Sequence, residues 1–397
     1  MGIARRKVSL PKFWGRIKAM IQDDQEIFLE PFGNTDRLEE VMKKSAILVS
    51  ALAIAFSGAA FAGGGQGGPG EGGNPPAPSS HPAKANSDVV KVGVVHGNSV
   101  SATSGNGLNN SETNVGSDAT INGQAFENVT GVASANQNSG ANGLLQNQTQ
   151  VQVNAVSGDI KAKMKSVDLG LVHGNQIGVS TYGTQTNYDG NAYLGDNAFA
   201  NAAGIISLNQ NSGANSLLDN QTSVQVNELS PCAHGTCFTG KVDLLSLQGG
   251  AVLGNTVNIS ADPGHNYWYG QNGLTNYNAN ATINGNTFSG ASGIISANQN
   301  SGANSLLQNQ TNVQVSQVGS SSGNAFGALG GVVAGNALQV SATGNPCNPC
   351  AFTQANYAAN ATIGGNAFQH ASGVIALNQN TGANSMLQNQ TSIQVNN

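Results

Sequence analysis

The stretch GIISANQNSGANSLLQNQTNVQV, residues 293–315, decides how this chain folds. Closely similar sequences recur at residues 131–153, 204–226 and 373–395. The four copies are rich in Asn and Gln, hold few charged residues and carry no obvious catalytic group. Such regular repetition is typical of proteins in which each unit completes the packing and hydrogen bonding of its neighbour.

Each copy predicts two β-strands joined by a turn. In the third copy, Ser-Gly-Ala-Asn at 301–304 forms the turn, because Gly and Asn tolerate positive φ. Residues 306–315 follow as an extended run whose second half alternates amide or hydroxyl with aliphatic side chains, as a strand does. A helix is disfavoured by the β-branched residues, the central Gly and the density of Asn.

The amide side chains need partners once they are buried, since a lone buried amide is costly. Stacking identical copies about 4.7 Å apart supplies those partners, because each amide bonds the one above and the one below. The predicted ladder and turn positions are Asn136, Gly140, Gln148, Asn209, Gly213, Gln221, Asn298, Gly302, Gln310, Asn378, Gly382 and Gln390.

The repeated unit is longer than the quoted stretch. A preamble ending in Phe precedes each copy, and the core repeats with their preambles span 119–154, 191–227, 281–316 and 361–397, separated by variable linkers within a repeat domain of residues 89–397. A Gly-Asn motif lies upstream, and its glycine recurs after 77, 80 and 81 residues, at Gly97, Gly174, Gly254 and Gly335. This regularity favours stacked layers over independent beads.

The N-terminal part differs from the repeats. Residues 42–62 have the pattern of a secretory signal, with Lys43 and Lys44, an apolar run and Ala-Phe-Ala before Gly63. We interpret residues 1–41 as a non-native leader from a mis-assigned start at Met1, with an extended signal region as the alternative. Residues 63–88 are rich in Gly and Pro and predict a flexible tail.

Composition excludes several classes of partner. Charged residues make up 9% of the chain, against roughly 25% in ordinary globular domains. From Gly63 onward there are six Lys, no Arg and thirteen acidic residues, so the sequence shows no basic patch for phosphates and nucleic acid is not an expected partner. No apolar run of the mature chain is long enough to span a membrane.

Four cysteines form two close pairs in the linkers, Cys232 with Cys237 and Cys347 with Cys350. Behind a signal peptide, two local disulfides are the expected state. A zinc site is the alternative, but the pairs are far apart in sequence and lack the spacing of a zinc module. We therefore expect no metal and no cofactor. No nucleophile elbow, P-loop or zinc-protease motif is present, so we do not expect an enzyme.

The repeats resemble two families of secreted bacterial amyloid subunit. The spacing Asn300-x-Gly302-x-Asn304-x-Leu306-x-x-x-Gln310 is similar to curlin repeats. The closer resemblance is to the Fap-type fibril subunit, carried over about 36 residues in each of four places by the segments Asn-Ala-Thr-Ile at 280–283 and Ser-Gly-Ala-Ser-Gly at 289–293, with Ile295, Asn298, Gly302, Asn304 and Asn309. The chain departs from that family in placing Cys-x-x-Cys before the last repeat.

The resemblance implies an extracellular building block of biofilm-matrix fibrils. Its implied partners are further copies of the same chain, a secretion pore, a periplasmic chaperone and a minor nucleator subunit. We expect an all-β fold of stacked strand–turn–strand repeats, β-solenoid-like or Greek-key-layered, that grows by strand addition at unprotected edges.

Three alternatives remain at this stage. The first is a monomeric β-solenoid adhesin at the cell surface that binds glycans or other cells. The second is a β-solenoid enzyme acting on polysaccharide, and the third is a disordered matrix filler.

Overall fold

The computed structural model describes residues 83–104, 112–156, 159–229, 239–263, 272–317, 320–343 and 352–396. Within these residues the chain forms twenty β-strands and no helix, so the predicted all-β class is confirmed. The strands fall into four groups of five, and each group, here called a rung, corresponds to one sequence period. One period thus makes one layer of the stack.

The strands have the following bounds. The first rung holds β1 (Ala83–His96), β2 (Ser99–Ser104), β3 (Glu112–Ile121), β4 (Thr130–Asn138) and β5 (Leu144–Val156). The second holds β6 (Ile160–His173), β7 (Gln176–Tyr182), β8 (Gln185–Leu194), β9 (Ala203–Asn211) and β10 (Leu217–Leu229). The third holds β11 (Thr239–Leu253), β12 (Thr256–Asp262), β13 (Gly273–Ile283), β14 (Ser292–Asn300) and β15 (Leu306–Gln317). The fourth holds β16 (Ser320–Ala334), β17 (Ala337–Ala342), β18 (Thr353–Ile363), β19 (Ser372–Asn380) and β20 (Met386–Asn396).

Equivalent strands of the four rungs pair to form five parallel sheets of four strands each. Sheet 1 contains the first strand of every rung in the order β1-β6-β11-β16, and sheets 2 to 5 contain the second to fifth strands in the same way. The register aligns repeat with repeat, so that Asn209 pairs with Asn136 on one side and with Asn298 on the other. This arrangement confirms the predicted β-solenoid-like stack.

Turns fall where the sequence breaks the strands. The glycines of the Gly-Asn motif, Gly97, Gly174, Gly254 and Gly335, join the first and second strands of their rungs with φ between 60 and 67°. In the turn between the fourth and fifth strands, an Asn takes the left-handed conformation in each rung, with φ between 53 and 57° at Asn142, Asn215, Asn304 and Asn384. Both residue types tolerate that region of φ/ψ space, so the turns are favoured locally.

Sheet 5 lies between two other sheets. On one side of β10, the Asn220 amide donates to the carbonyl of Leu208 on β9 at 2.7 Å. On the other side, the Gln221 amide donates to the Ser166 hydroxyl on β6 at 2.9 Å. Residues 216–223 are therefore buried on both faces, and the middle layer of the stack is packed mostly with amides.

Apolar packing is concentrated in two clusters that run through all four rungs. One lies between the end of the third strand, the loop that follows it and the fourth strand, and its centre is a column of stacked rings. The ring centroids of Phe126, Phe199, Phe288 and Phe368 are separated in turn by 4.7, 5.2 and 4.9 Å. The second cluster includes Tyr188, Tyr277 and Tyr357, with centroids 4.7 and 5.2 Å apart.

The phenylalanine column supplies a test of the stack. Replacing fully buried Phe288 by Ala removes a ring stacked on both sides and leaves a cavity, so the free energy of unfolding should fall by about 3–5 kcal/mol. The matched control is Phe352→Ala, because that ring is 77% exposed, and its effect should stay within about 0.5 kcal/mol. Denaturant titration followed by circular dichroism measures both. Equal effects of the two changes would contradict the column's role in the core.

Candidate functional site

The asparagine column predicted from the sequence lies at the interface of sheets 4 and 5. The side-chain nitrogen of Asn209 donates to the oxygen of Asn136 at 3.2 Å, Asn298 donates to Asn209 at 3.0 Å, and Asn378 donates to Asn298 at 3.1 Å. The later rung is the donor at every step. The column therefore has a direction, with donors facing the first rung and acceptors facing the fourth.

A second asparagine column on sheet 5 interleaves with the first. Its members are Asn147, Asn220, Asn309 and Asn389. Asn220 donates to Asn209 at 2.9 Å, and Asn298 donates to Asn220 at 3.0 Å, so the two columns bond each other across the interface. Sequence reasoning missed this column, although its position eleven residues after the first in every copy was a usable signal.

The glutamine column faces sheet 1. Gln221 donates to Gln148 at 3.2 Å, and Gln310 donates to Gln221 at 2.8 Å. Gln310 also donates to the main-chain carbonyls of Ser246 and Ala328 on sheet 1. Gln390 is placed next in register after Gln310. These amides thus bind both the next rung and the neighbouring sheet.

In the first three rungs, each turn glycine lies against the main chain of the following rung. A Cβ built on Gly140 would lie 2.0 Å from the carbonyl oxygen of Gly213, and a Cβ on Gly213 or Gly302 would lie 2.1 Å from the oxygen of the next glycine in the column. Gly382 in the fourth rung has no such neighbour, and its nearest contact would be the Asn380 side-chain oxygen at 3.5 Å. Within one chain, Gly382 has room for a side chain.

In the part of the chain that the structure describes, the exposed large apolar side chains all lie on the two outer rungs. Seven belong to the first rung: Val89, Val90, Val92, Val94, Val132, Val151 and Val153. Seven belong to the fourth: Phe326, Val332, Val340, Phe352, Ile375, Met386 and Val395. Equivalent positions of the inner rungs are covered by the rungs on either side. We call the outer surfaces of these rungs the first and fourth end faces.

Charge is distributed unevenly along the stack. After Asp262 the sequence contains no Asp, Glu, Lys or Arg, so the fourth rung carries none of these residues. The charged residues that commonly protect sheet edges are therefore missing from the fourth end face. The cysteine pairs Cys232/Cys237 and Cys347/Cys350 lie outside the described residues.

One buried acid pair interrupts the amide packing in the second rung. Asp168 on β6 and Asp219 on β10 face each other between sheets 1 and 5, and no hydrogen bond to another described residue satisfies either buried carboxyl group. Burial raises the pKa of Asp168 to about 6. Burial also raises the pKa of Asp219 well above its usual value, and the Asp168 charge raises it further.

The neighbours of this pair are amides with a single cation among them. Lys91 on β1 is in register with Asp168 and lowers the pKa of both acids by its charge, while its ammonium donates to the Asn147 carbonyl at 3.0 Å. Gln146 and Gln308 flank Asp219, and Gln248 flanks Asp168. The first, third and fourth rungs thus all carry Gln at the position that Asp219 occupies in the second rung, since Gln388 is in register with Gln308.

The described residues offer no other kind of chemical site. No group of three or more His, Cys, Asp or Glu residues among them could hold a metal ion. None of the described segments forms a helix long and apolar enough to cross a membrane.

Comparison with known proteins identifies one family. The model described as "Functional amyloid protein FapB/FapC family" matches residues 80–227 and 252–396, together well over half of the chain. No curated protein and no solved structure matches the sequence significantly. Besides the core repeats, the match includes most of the sequence between them but leaves out residues 228–251.

The acid pair predicts a pH dependence of stability. Because the folded chain raises the pKa of Asp168 and Asp219 above the unfolded value of 3.8, it binds protons more readily than the unfolded chain. Stability should therefore rise as pH falls towards 4. The contribution of Asp168 changes around pH 6, and that of Asp219, whose pKa is raised well above its usual value, extends the dependence to higher pH.

Asp219→Gln restores the residue of the other rungs and should flatten this dependence while raising stability at pH 7.5 by about 1–3 kcal/mol. Asp118→Asn is the matched control, because that acid is exposed and its register partners are Asn191, Asn280 and Asn360. Denaturant midpoints at pH 4.5, 6 and 7.5 measure both variants. A wild-type midpoint that does not change with pH would contradict the prediction.

Proposed function

Because this chain belongs to the functional amyloid protein FapB/FapC family, we propose that it is a secreted structural protein that assembles into extracellular cross-β fibrils of a biofilm matrix. Members of a functional amyloid family are structural proteins, so no catalytic role is assigned. Assembly proceeds by templated addition, in which the exposed edge of one chain orders the strands of the next.

The single observation that carries this proposal is the state of the two end faces. Among the described residues, the outward edges of both rungs have no strand paired to them, and all the large exposed apolar side chains lie on these two rungs. Soluble β-proteins protect such edges with charge, proline or a covering segment. A second copy of the same chain fits the fourth end face, because its first rung has the same register and repeats the same ladders.

The contacts of that junction follow from those inside the chain. The first rung of an incoming chain would place the side-chain nitrogen of its Asn136 beside the side-chain oxygen of Asn378. This continues the direction of donation seen between successive rungs of one chain. Its Gln148 would meet Gln390, and its Phe126 would stack on Phe368. In this proposal the predicted ladder residues act as the templating groups.

Gly382 acquires a role only at this junction. Each internal turn glycine is needed because the carbonyl of the next rung lies where a Cβ would be. The Gly140 carbonyl of an incoming chain would occupy the same place over Gly382. The repeat thus keeps a glycine where one isolated chain has space for a larger residue.

Export and regulation of assembly are further parts of the proposal. In this proposal residues 42–62 act as the signal peptide, residues 63–82 as a flexible tail, and the two cysteine pairs form local disulfides, all of them outside the described residues. Residues 83–88, which the sequence analysis included in the tail, belong to β1 instead. A secretion pore, a periplasmic chaperone and a minor nucleator subunit are the partners that such a system requires. No observation favours the adhesin alternative.

Gly382→Ala tests the junction directly. The added methyl group is accommodated inside one chain but would collide with the carbonyl of the next, so seeded elongation should slow by about tenfold or more. The monomer's β-sheet circular dichroism should be unchanged. Thioflavin fluorescence during seeded growth measures the rate.

Gly330→Ala is the matched control, since it makes the same change on the same rung. A Cβ at Gly330 meets nothing within 4 Å. The equivalent positions hold Leu169 in the second rung and Val92 in the first, so this position of the stack accommodates larger side chains. Its elongation rate should equal that of the wild type. If both variants elongate normally, the proposed fourth-to-first junction is wrong.

Fibre diffraction tests the function itself. Residues 63–397 are diluted out of denaturant and followed for a day, and reflections near 4.7 Å along the fibre and about 10 Å across it are expected. A chain that stays monomeric and β-rich would overturn fibril assembly and favour the adhesin. A chain that stays unstructured would overturn the fold as well.

A further inference from the structure

The fold collects the lysines of the repeat domain on one sheet. From Gly63 onward the chain has six Lys and no Arg, and all six lie on sheet 1: Lys84, Lys91, Lys161, Lys163, Lys165 and Lys241. Lys91 points inward, and the other five lie on the outward face. The sequence analysis found no basic patch. Lys161, Lys163 and Lys165 alternate along one strand, but Lys84 and Lys241 join them only through the register of the sheet.

Three of these lysines stack directly on one another. Lys161 is in register with Lys84 on one side and with Lys241 on the other. Adjacent strands are about 4.8 Å apart, so the three charged groups form a column of like charge along the stack. Lys163 and Lys165 follow Lys161 on the same strand face at intervals of about 6.6 Å.

The acids on this face are fewer than the lysines. Asp88 is in register with Lys165, and Asp243 is in register with Lys163. Two aspartates therefore oppose five lysines on the outward face of the three strands, with Asp159 just before β6. This face is positive on a repeat domain that is negative as a whole.

A lysine column is not required by the fold. Like charges directly opposite each other destabilise a sheet, and Ser322 occupies the equivalent position in the fourth rung. None of the acidic residues in the described strand registers is aligned with another acid; Asp118, for example, is in register with Asn191. The chain thus avoids stacked acids but keeps stacked lysines on one exposed face.

A bound polyanion would relieve this repulsion. We propose that the outward face of sheet 1, centred on Lys84, Lys161, Lys163, Lys165 and Lys241, binds a linear polysaccharide that carries carboxylate groups. The lysines lie at two regular spacings, about 4.8 Å between strands and about 6.6 Å along a strand, which suits a flexible polymer with regularly repeated single charges. Ammonium groups act there as point charges and need no fixed partner geometry.

The same face is less suited to nucleic acid. Proteins that bind single strands combine positive charge with aromatic platforms for the bases, and the register neighbours of Lys161 and Lys163 are Lys, Asn and Asp. The nearest aromatic in the Lys165 column is Phe326, two rungs away. Tight duplex binding uses roughly six to ten phosphate contacts, more than five lysines opposed by two aspartates supply.

Each chain carries the complete site, so binding does not depend on fibril assembly. In an assembled fibre the site would recur once per chain along the same side. A long polymer could then contact many copies at once, and its apparent affinity would exceed that of a single site.

The test uses alginate as the carboxylated probe, dextran as the neutral probe, and single-stranded and duplex DNA as competitors of another class. Binding to the assembled and unassembled protein is measured at 50 and 200 mM salt, and fibre content is recorded in each sample. We expect alginate to bind and dextran not to bind, with affinity falling as salt rises.

Lys161→Gln/Lys163→Gln should weaken alginate binding about tenfold. Ser101→Asp/Thr103→Asp is the matched control, because it changes the net charge by the same amount at exposed positions on β2, which belongs to sheet 2. The control should bind within about twofold of the wild type.

Three results would overturn the proposal: alginate retained no better than dextran, equal losses in both double variants, or DNA bound more tightly than alginate. The last result would assign the face to nucleic acid. A failure to form fibres would appear in the recorded fibre content and would contradict the proposed function. The polysaccharide proposal would then be decided by alginate binding to the unassembled chain.

Discussion

The structure depends on a simple constraint: a buried carboxamide must be hydrogen-bonded on both its nitrogen and its oxygen. In a single layer, the amides of Asn209, Asn220 and Gln221 would lack several of those partners. The layers above and below supply them, and the neighbouring sheets supply main-chain carbonyls. A single period of this sequence is therefore incomplete, and the layer becomes a satisfactory polar core only when it is repeated.

The same constraint fixes the register. A shift of one residue between rungs would place an amide against an aliphatic side chain and turn every side chain to the opposite face. Ring columns reinforce the alignment, because Phe199 stacks between Phe126 and Phe288 at nearly parallel angles. Polar and aromatic ladders thus specify the same alignment, and agreement between levels of this kind is what gives a sequence a single folded state.

Sequence reasoning reached the fold class, the strand–turn–strand unit and the turns at Gly-Asn, because these are local signals repeated four times. It also expected several short strands in each period, but not that there are five, nor which of them pair, since the sequence between the core repeats varies. The Phe and Tyr columns were also missed. Their rings are about 73 to 89 residues apart, and only the register shows that Phe199 meets Phe288 or that Tyr188 meets Tyr277.

The acid pair was beyond sequence reasoning for a related reason. Asp168 lies in a stretch between core repeats and Asp219 in a core repeat, about fifty residues apart, and nothing local indicates that β6 and β10 face each other. The lysine face was hidden only in part, because Lys161, Lys163 and Lys165 alternate along β6, whereas Lys84 and Lys241 join them through the register. A site that forms within one strand can be identified from the sequence. A site that forms between rungs or between sheets can be identified only when the strand pairing is known.

The parallel order of the strands has a consequence for any material built from this chain. Every junction between rungs of one chain has the same direction, and the proposed junction between two chains continues it. Breaking such a fibre between two chains must expose one donor end and one acceptor end, each identical to the ends already present. Mechanical shear would therefore multiply the number of seeds without changing their kind, so that damage to the matrix would itself promote its renewal.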